Sequence, residues 1–252
     1  MDTALLEKVM GQVSEELGIK KPQETTKTSI GVTEFVGTTM GDTIGLVIAS
    51  VDPLLTETMG LGEFKSIGII GGRIGAGPQI MAVDDAIKAT NTEIITVELP
   101  RDTKGGAGHG SLIYIGAHDV SDARRAVEIA PKYFGDVYSN DAGHLEFQYT
   151  ARASYCLESV FNTPLGKSFG MVCAGPAAIG TVLADTAVKS ANVEVVSYAS
   201  PKAGTSYSNE VILTFSGDSG AVRQAVRAAR EVGIKLLGTL GDEPKSSTTP
   251  YI

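Results

Sequence analysis

Two stretches of this chain place enough polar groups together to offer donors and acceptors to a small polar solute. "PRDTKGGAGHG" (Pro100–Gly110) offers Asp102, Lys104 and His109, and "SPKAGTSYSNE" (Ser200–Glu210) offers Ser206, Ser208 and Asn209. Glu98 stands just before the first stretch. Glycine tolerates positive φ and lets backbones approach one another closely, so N–H groups, hydroxyls and these side chains can converge on a solute. The alternative reading is a pair of ordinary surface loops.

Other chemistry has little support in the residue spacing. No Ser-His-Asp pattern, H-E-x-x-H helix or activated-cysteine signature is present. His109, His118 and His144 are scattered, and none pairs at metal-ligand spacing. We therefore expect no catalytic residues, no metal and no cofactor. Cys156 and Cys173 form no CxxC and read as two buried thiols, not a disulfide. "SIGIIGGRIGAGPQIM" suggests a rival, an NAD- or phosphate-binding α/β enzyme, because a strand runs into a glycine-rich turn and a helix. Yet Gly71, Gly72, Gly75 and Gly77 do not fit G-x-G-x-x-G, and the chain has no G-K-[ST].

Composition narrows the partners. The net charge of −8 disfavours nucleic acid, whose phosphates need a basic face. A hydrophobic content of 42% is enough for packed cores, but no apolar run reaches the roughly 18 residues of a membrane span.

The elements that position the two loops come as a duplicated unit. "AIKATNTEII" lines up with "AVKSANVEVV", so Asn91 matches Asn192 at a shift of 101 (192 − 91). "DVSDARRAVEIA" lines up with "DSGAVRQAVRAA", and "EFVGTT" from Glu34 with "EFQYTA" from Glu146. Each copy reads as a strand, a short helix, an apolar strand ("SIGIIGG" or "SFGMVCA"), a helix, a strand, the polar loop, a strand and a last helix. In the repeated phrase, a lysine closes a helix and complements its dipole, an asparagine ends it in a left-handed conformation, and branched residues begin the next strand. The result is an α+β fold of two similar domains, 31–135 and 136–252.

Residues 1–30 precede the repeat. Leu5, Leu6, Val9, Met10, Val13 and Leu17 recur at helical spacing, followed by a polar linker. An isolated helix of this length is marginal in water. It is either a frayed tail or a peptide that docks its apolar face on a partner.

The pattern Asp84-x₃-Lys88-x₂-Asn91-x-Glu93, its copy Asp185-x₃-Lys189-x₂-Asn192-Val193-Glu194, and "SGDSGAVRQAVRAA" resemble signatures of the bacterial microcompartment shell-protein family. Two such units in one chain resemble its tandem-domain, trimeric members, and the resemblance runs from about Gly31 to near the end. It implies two circularly permuted, ferredoxin-like shell domains in a non-enzymatic homotrimer that mimics a hexagonal tile. Such tiles assemble with other shell proteins around lumen enzymes inside the bacterial cytoplasm. It also implies that Lys88 and Lys189 lie at tile edges, and that the two polar loops line pores for small polyols such as glycerol or 1,2-propanediol. Glu34, Asp42 and Glu98 are further candidates for a channel within or between subunits. The N-terminal helix is the candidate contact to lumen enzymes.

Overall fold

The computed structural model describes residues 33–39, 42–73, 75–100, 109–130, 136–202, 209–248 and 250–252. The candidate N-terminal helix and Asp102, Lys104, Ser206 and Ser208 lie outside them.

The first half runs β1 (Thr33–Thr39), β2 (Thr43–Ile48), α1 (Pro53–Thr58), β3 (Ser66–Gly72), α2 (Gly77–Lys88), β4 (Glu93–Glu98), β5 (Ser111–Ala117) and α3 (Val120–Ile129). The second runs β6 (Asp136–Asn140), β7 (Gly143–Thr150), α4 (Tyr155–Phe161), β8 (Ser168–Gly175), α5 (Ala177–Ser190), β9 (Val193–Ala199), β10 (Val211–Gly217) and α6 (Ser219–Gly238). The first sheet has the order β1-β2-β3-β5-β4. The second has β6-β7-β8-β10-β9, with the short β11 (Lys245–Ser246) added beside β6. Every neighbouring pair is antiparallel. A dinucleotide-binding fold needs a parallel sheet, so the topology removes that rival.

Strands β3 and β8 are almost wholly apolar because both their faces are covered. On β8, Val172 and Ala174 pack with the second half's own helices, while Phe169, Met171 and Cys173 join a core built mainly from the first half. Helix α6 buries Val222, Ala225, Val226, Ala229, Gly233 and Leu237, one helical stripe. Close helix approach requires Gly170, where a Cβ would lie 2.4 Å from the Phe215 ring and 2.8 Å from Val222. Among the described residues, no helix is long and apolar enough to cross a membrane.

Two local expectations need correction. "EFVGTT" and "EFQYTA" are not equivalent. Glu34 lies in the edge strand β1, whereas Glu146 lies in β7, the second strand of its sheet. Ile44 faces Gly71 across the first sheet, and Glu146 faces Cys173 across the second, so Ile44 is the true counterpart of Glu146. The chain reversal before β2, with Asp42 at φ of 49°, hid β2 in the first half, and the reversal after Asn140 hid β6 in the second. Nor do Asn91 and Asn192 end their helices in left-handed backbone: among the described non-glycine residues, only Asp42 and Asn162 have positive φ. Helix α2 closes through Ala89 in right-handed geometry, and α5 leaves directly into extended chain at Ala191.

Candidate functional site

The two halves meet along a seam in which each inserts a carboxylate at a helix start of the other. Asp84, fully buried on α2, accepts from Ser154 N (3.0 Å), Leu157 N (3.4 Å) and the Ser154 hydroxyl. The carboxylate thus caps α4, whose own N-cap Ser154 makes no side-chain cap bond to its helix. Lys88 Nζ lies 2.7 Å from the other Asp84 oxygen and 3.1 Å from Asp85. Cys156 Sγ approaches Ile80 O at 3.6 Å, and Leu157 beside it is fully buried. Burial pushes the Cys156 thiol up, away from reactivity.

The reciprocal insertion is Glu146, which accepts from the Gly77 backbone at the start of α2. A Cβ at Gly77 would lie 1.9 Å from Glu146 Oε1. This explains the glycine-rich turn: it admits a carboxylate from the second half, at the place a phosphate would take in a nucleotide fold. Burial raises the Glu146 pKa to about 7, against the opposing pull of His144.

The same surfaces are open on the other side of the repeat. Val51 N bonds Lys65 O (2.9 Å) and Ala153 N bonds Lys167 O (2.7 Å), which makes α1 the counterpart of α4, and Leu54 and Leu55 the counterparts of Cys156 and Leu157. Leu54 is 77% exposed and Leu55 44%, whereas both counterparts are fully buried. On α5, Asp185 and Lys189 pair at 2.7 Å on the surface, with the lysine side chain 74% exposed against 29% for Lys88. Val182, Val188, Val195 and Tyr198 beside them are exposed too. The phrase that repeats at Lys88 and Lys189 therefore has two environments. The first copy, with Asn91 and Glu93, lines a groove against Ser154, Tyr155 and Glu158 of α4; the second faces outward.

The polar loops end beside this seam. Gly110 N donates to Pro100 O at 2.7 Å and closes the base of the first loop. Glu98 and Asn209 are exposed at the loop flanks. His109 turns inward instead: its Nδ1 lies 2.9 Å from Glu210 Oε1, while His144 Nε2 lies 3.5 Å from Oε2. Cys173 Sγ is 3.9 Å from the same His144 nitrogen. Burial alone would raise the Glu210 pKa, but hydrogen bonds from His109 and His144 bring it down to about 2. Burial likewise pushes the Cys173 thiol well up. Sequence spacing missed this gathering, because four separate segments supply it. The one local signal was the shared "A-G-H" context of His109 and His144.

Glu34 is tied to Arg124 by a forked ion pair, and that hydrogen bonding lowers its pKa. His118 stacks at a tilt on Phe64. Both cysteines are free and buried, as expected.

Comparison with known proteins agrees with this architecture. The model of the BMC domain matches residues 168–243. The bacterial microcompartment shell protein PduB of Citrobacter freundii is 62% identical over 229 residues, which span 89% of this chain and 85% of that one. A crystal structure of a trimeric bacterial microcompartment shell protein PduB matches with a TM-score of 0.84 at 53% identity, over 88% of this chain and 100% of the other. EtuB from Clostridium kluyveri matches with a TM-score of 0.84 at 56% identity, over 88% and 99% of the two chains.

Proposed function

This chain belongs to the bacterial microcompartment shell-protein family, and on that footing we propose that three copies close head to tail into one shell tile. The role is structural, not catalytic, and its place is the microcompartment shell. The observation that carries the closure is the contrast between fully buried Cys156 and Leu157 and exposed Leu54 and Leu55. Within a chain, α2 of the first half receives α4 of the second. Between chains, α5 of one copy receives α1 of the next. Such a contact is heterologous, and it closes a ring when the rotation per copy divides a circle. The trimeric state of the related crystal structure supports three. The repeats are then domains 31–135 and 136–252, six per tile.

The second contact differs in chemistry from the first. Asp52 stands where Ser154 stands, and its own carboxylate already accepts from Leu54 N at 2.9 Å. Asp185 therefore cannot receive a hydroxyl there, and Lys189 lies between two acids. A tile-edge role for Lys189 and Lys88 toward neighbouring shell proteins belongs to the same reading.

The loops Pro100–Gly110 and Ser200–Glu210 would ring the tile's pores, with Glu98, Asp102, Lys104, Ser206, Ser208 and Asn209 offering polar contacts and His109 anchoring a loop base. Contacts of this kind favour passage of small polyols such as glycerol or 1,2-propanediol when they are favourable yet weak. The N-terminal segment, residues 1–30, is the proposed contact to lumen enzymes.

Sedimentation tests the closure: the purified chain runs at three times its own mass, and a stable monomer would overturn it. The direction of the contact has its own test. The counterpart of the Cys156–Ile80 approach pairs Leu54 with Thr181 of the next copy. Leu54→Cys with Thr181→Cys should crosslink copies on oxidation, and neither single variant should. Trimer crystals soaked in glycerol or 1,2-propanediol should show ordered solute at the loops; its absence would remove the channel. Deleting residues 1–20 should lower enzyme encapsulation, and unchanged loading would remove that contact.

A further inference from the structure

We propose that His144, Cys173 and Glu210 form a binding site for a zinc-class divalent cation inside the seam between the halves, with His109 orienting the glutamate. The three side chains present an imidazole nitrogen, a thiol sulfur and a carboxylate oxygen, all within 4.8 Å of one another. All three residues are buried, at 7%, 4% and 1% exposure.

The fold brings them to one face. His144 faces Gly175 across the β7–β8 ladder, two residues along from Cys173, so the two side chains share a side of the sheet. Glu210 enters β10 beside Ala174 and Gly175. That face looks toward the first half and away from α5 and α6.

Distances decide between a metal site and a chance cluster. Zinc bonds of about 2.3 Å to sulfur and about 2.0–2.1 Å to nitrogen and oxygen, set tetrahedrally, put N and S roughly 3.6 Å apart and N and O roughly 3.3 Å apart. Here the corresponding separations are 3.9 Å and 3.5 Å. These two separations are within a few tenths of an ångström of coordination geometry, and Cys173 Sγ and the Glu210 oxygen, which lie within 4.8 Å, must also draw together to complete a tetrahedral site with a water as fourth ligand. His109 plays a different part. At 2.9 Å its Nδ1 hydrogen-bonds Glu210 Oε1 and leaves Oε2 turned to His144, the outer-sphere arrangement that fixes a ligating carboxylate.

Charge and bonding point the same way. Among the described residues, His144 Nδ1 and Glu146 Oε1 in the same seam have no hydrogen-bond partner, and Glu210 Oε2 has only the 3.5 Å approach of His144 Nε2. Glu210 and Glu146 thus set two buried acidic groups in one seam, a concentration of acid that a bound cation would offset. A sulfur, a nitrogen and an oxygen ligand together suit zinc or cobalt and suit calcium or magnesium poorly.

Cobalt(II) is the probe, because thiolate coordination gives it an intense near-ultraviolet charge-transfer band. The full chain, stripped with chelator, should take up one Co(II) per chain with that band, and Zn(II) should abolish it. Cys173→Ser should remove the band while Cys156→Ser keeps it. Glu210→Gln and His144→Gln should each weaken Zn(II) binding at least tenfold, and His109→Ala by about tenfold. If a variant does not fold, the wild type decides: Zn(II) should raise its melting temperature in proportion to occupancy. Absence of the band, a band that survives in Cys173→Ser, or a melting temperature indifferent to Zn(II) would each overturn the site. All of these outcomes leave the tile reading untouched, since the oligomeric state is measured separately.

Discussion

The seam at Asp84 and the open face at Asp185 are one piece of chemistry in two surroundings. Both present Asp and Lys four residues apart at a helix end, next to apolar side chains. At the first, the next domain is part of the same chain, so the acid is buried, caps a helix and holds its lysine. At the second, the acid and lysine pair in water beside exposed Val182 and Val188. The residues on α5 are those of a finished junction without its neighbour. Duplication thus lets the chain describe its own missing contact: whatever α4 does to α2 is the template for what α1 does to α5 of another copy.

The sharpest way to break that comparison is to spoil the exposed side. Leu54→Glu with Leu55→Glu should convert trimer to monomer in sedimentation, because burial of each leucine contributes about 1.5–3 kcal/mol and two are lost at every contact. The monomer fold should survive, since α1 buries no residue within the chain. At the closed seam the same position behaves differently: Leu157→Ala should cost about 2–5 kcal/mol in urea unfolding.

Next in size is the acid. Asp84→Ala strands the Ser154 and Leu157 N–H groups and leaves Lys88 half-buried without its main partner. The expected loss is about 3 kcal/mol or more, in the range for breaking one side of a buried, hydrogen-bonded pair. Asp185→Ala should change the monomer's stability by less than about 0.5 kcal/mol. Equal losses at both positions would show that the seam is no template.

How much of this was legible beforehand follows from the same contrast. The duplication, the apolar strands and the helices stood out because periodicity and repeated phrases are local signals. The mismatch of "EFVGTT" with "EFQYTA" shows where local letters mislead: only pairing across the sheet sets Glu146 against Ile44. Asp84 and Lys88 were found as a spaced pair, but that the acid caps a helix 70 residues away is tertiary information. The Glu210 cluster was invisible for the same reason, since its four members come from a loop end in each half and from two neighbouring strands.

Glu146 tests the reciprocal insertion through pH. Its folded pKa of about 7 lies above the ordinary value of 4.5, so between these the folded chain holds a proton that the unfolded chain has released. Stability is therefore full below about pH 4.5 as far as this group is concerned, and falls as pH rises toward 7. At about 1.4 kcal/mol per pH unit the loss is roughly 3 kcal/mol. Glu210, held near 2, acts only in acid, where protonation removes its contribution as pH falls. Glu146→Gln should flatten the unfolding free energy between pH 5 and 7, and a slope that persists in the variant would assign it to His144 or another neighbour.

The smallest effect distinguishes the two lysines. Lys88 neutralises an Asp84 oxygen that is buried and has no hydrogen-bond partner among the described residues, so Lys88→Ala should cost about 1–2 kcal/mol. Lys189→Ala removes a surface pair and should change monomer stability by no more than about 0.5 kcal/mol. Its consequence should appear in assembly instead, as weaker self-association or weaker packing of tiles with other shell proteins, read by sedimentation and by sheet formation at fixed salt. If Lys189→Ala proves as costly to the isolated chain as Lys88→Ala, the outward-facing copy of the motif is already engaged within the chain, and α5 loses its claim to be the surface that receives α1.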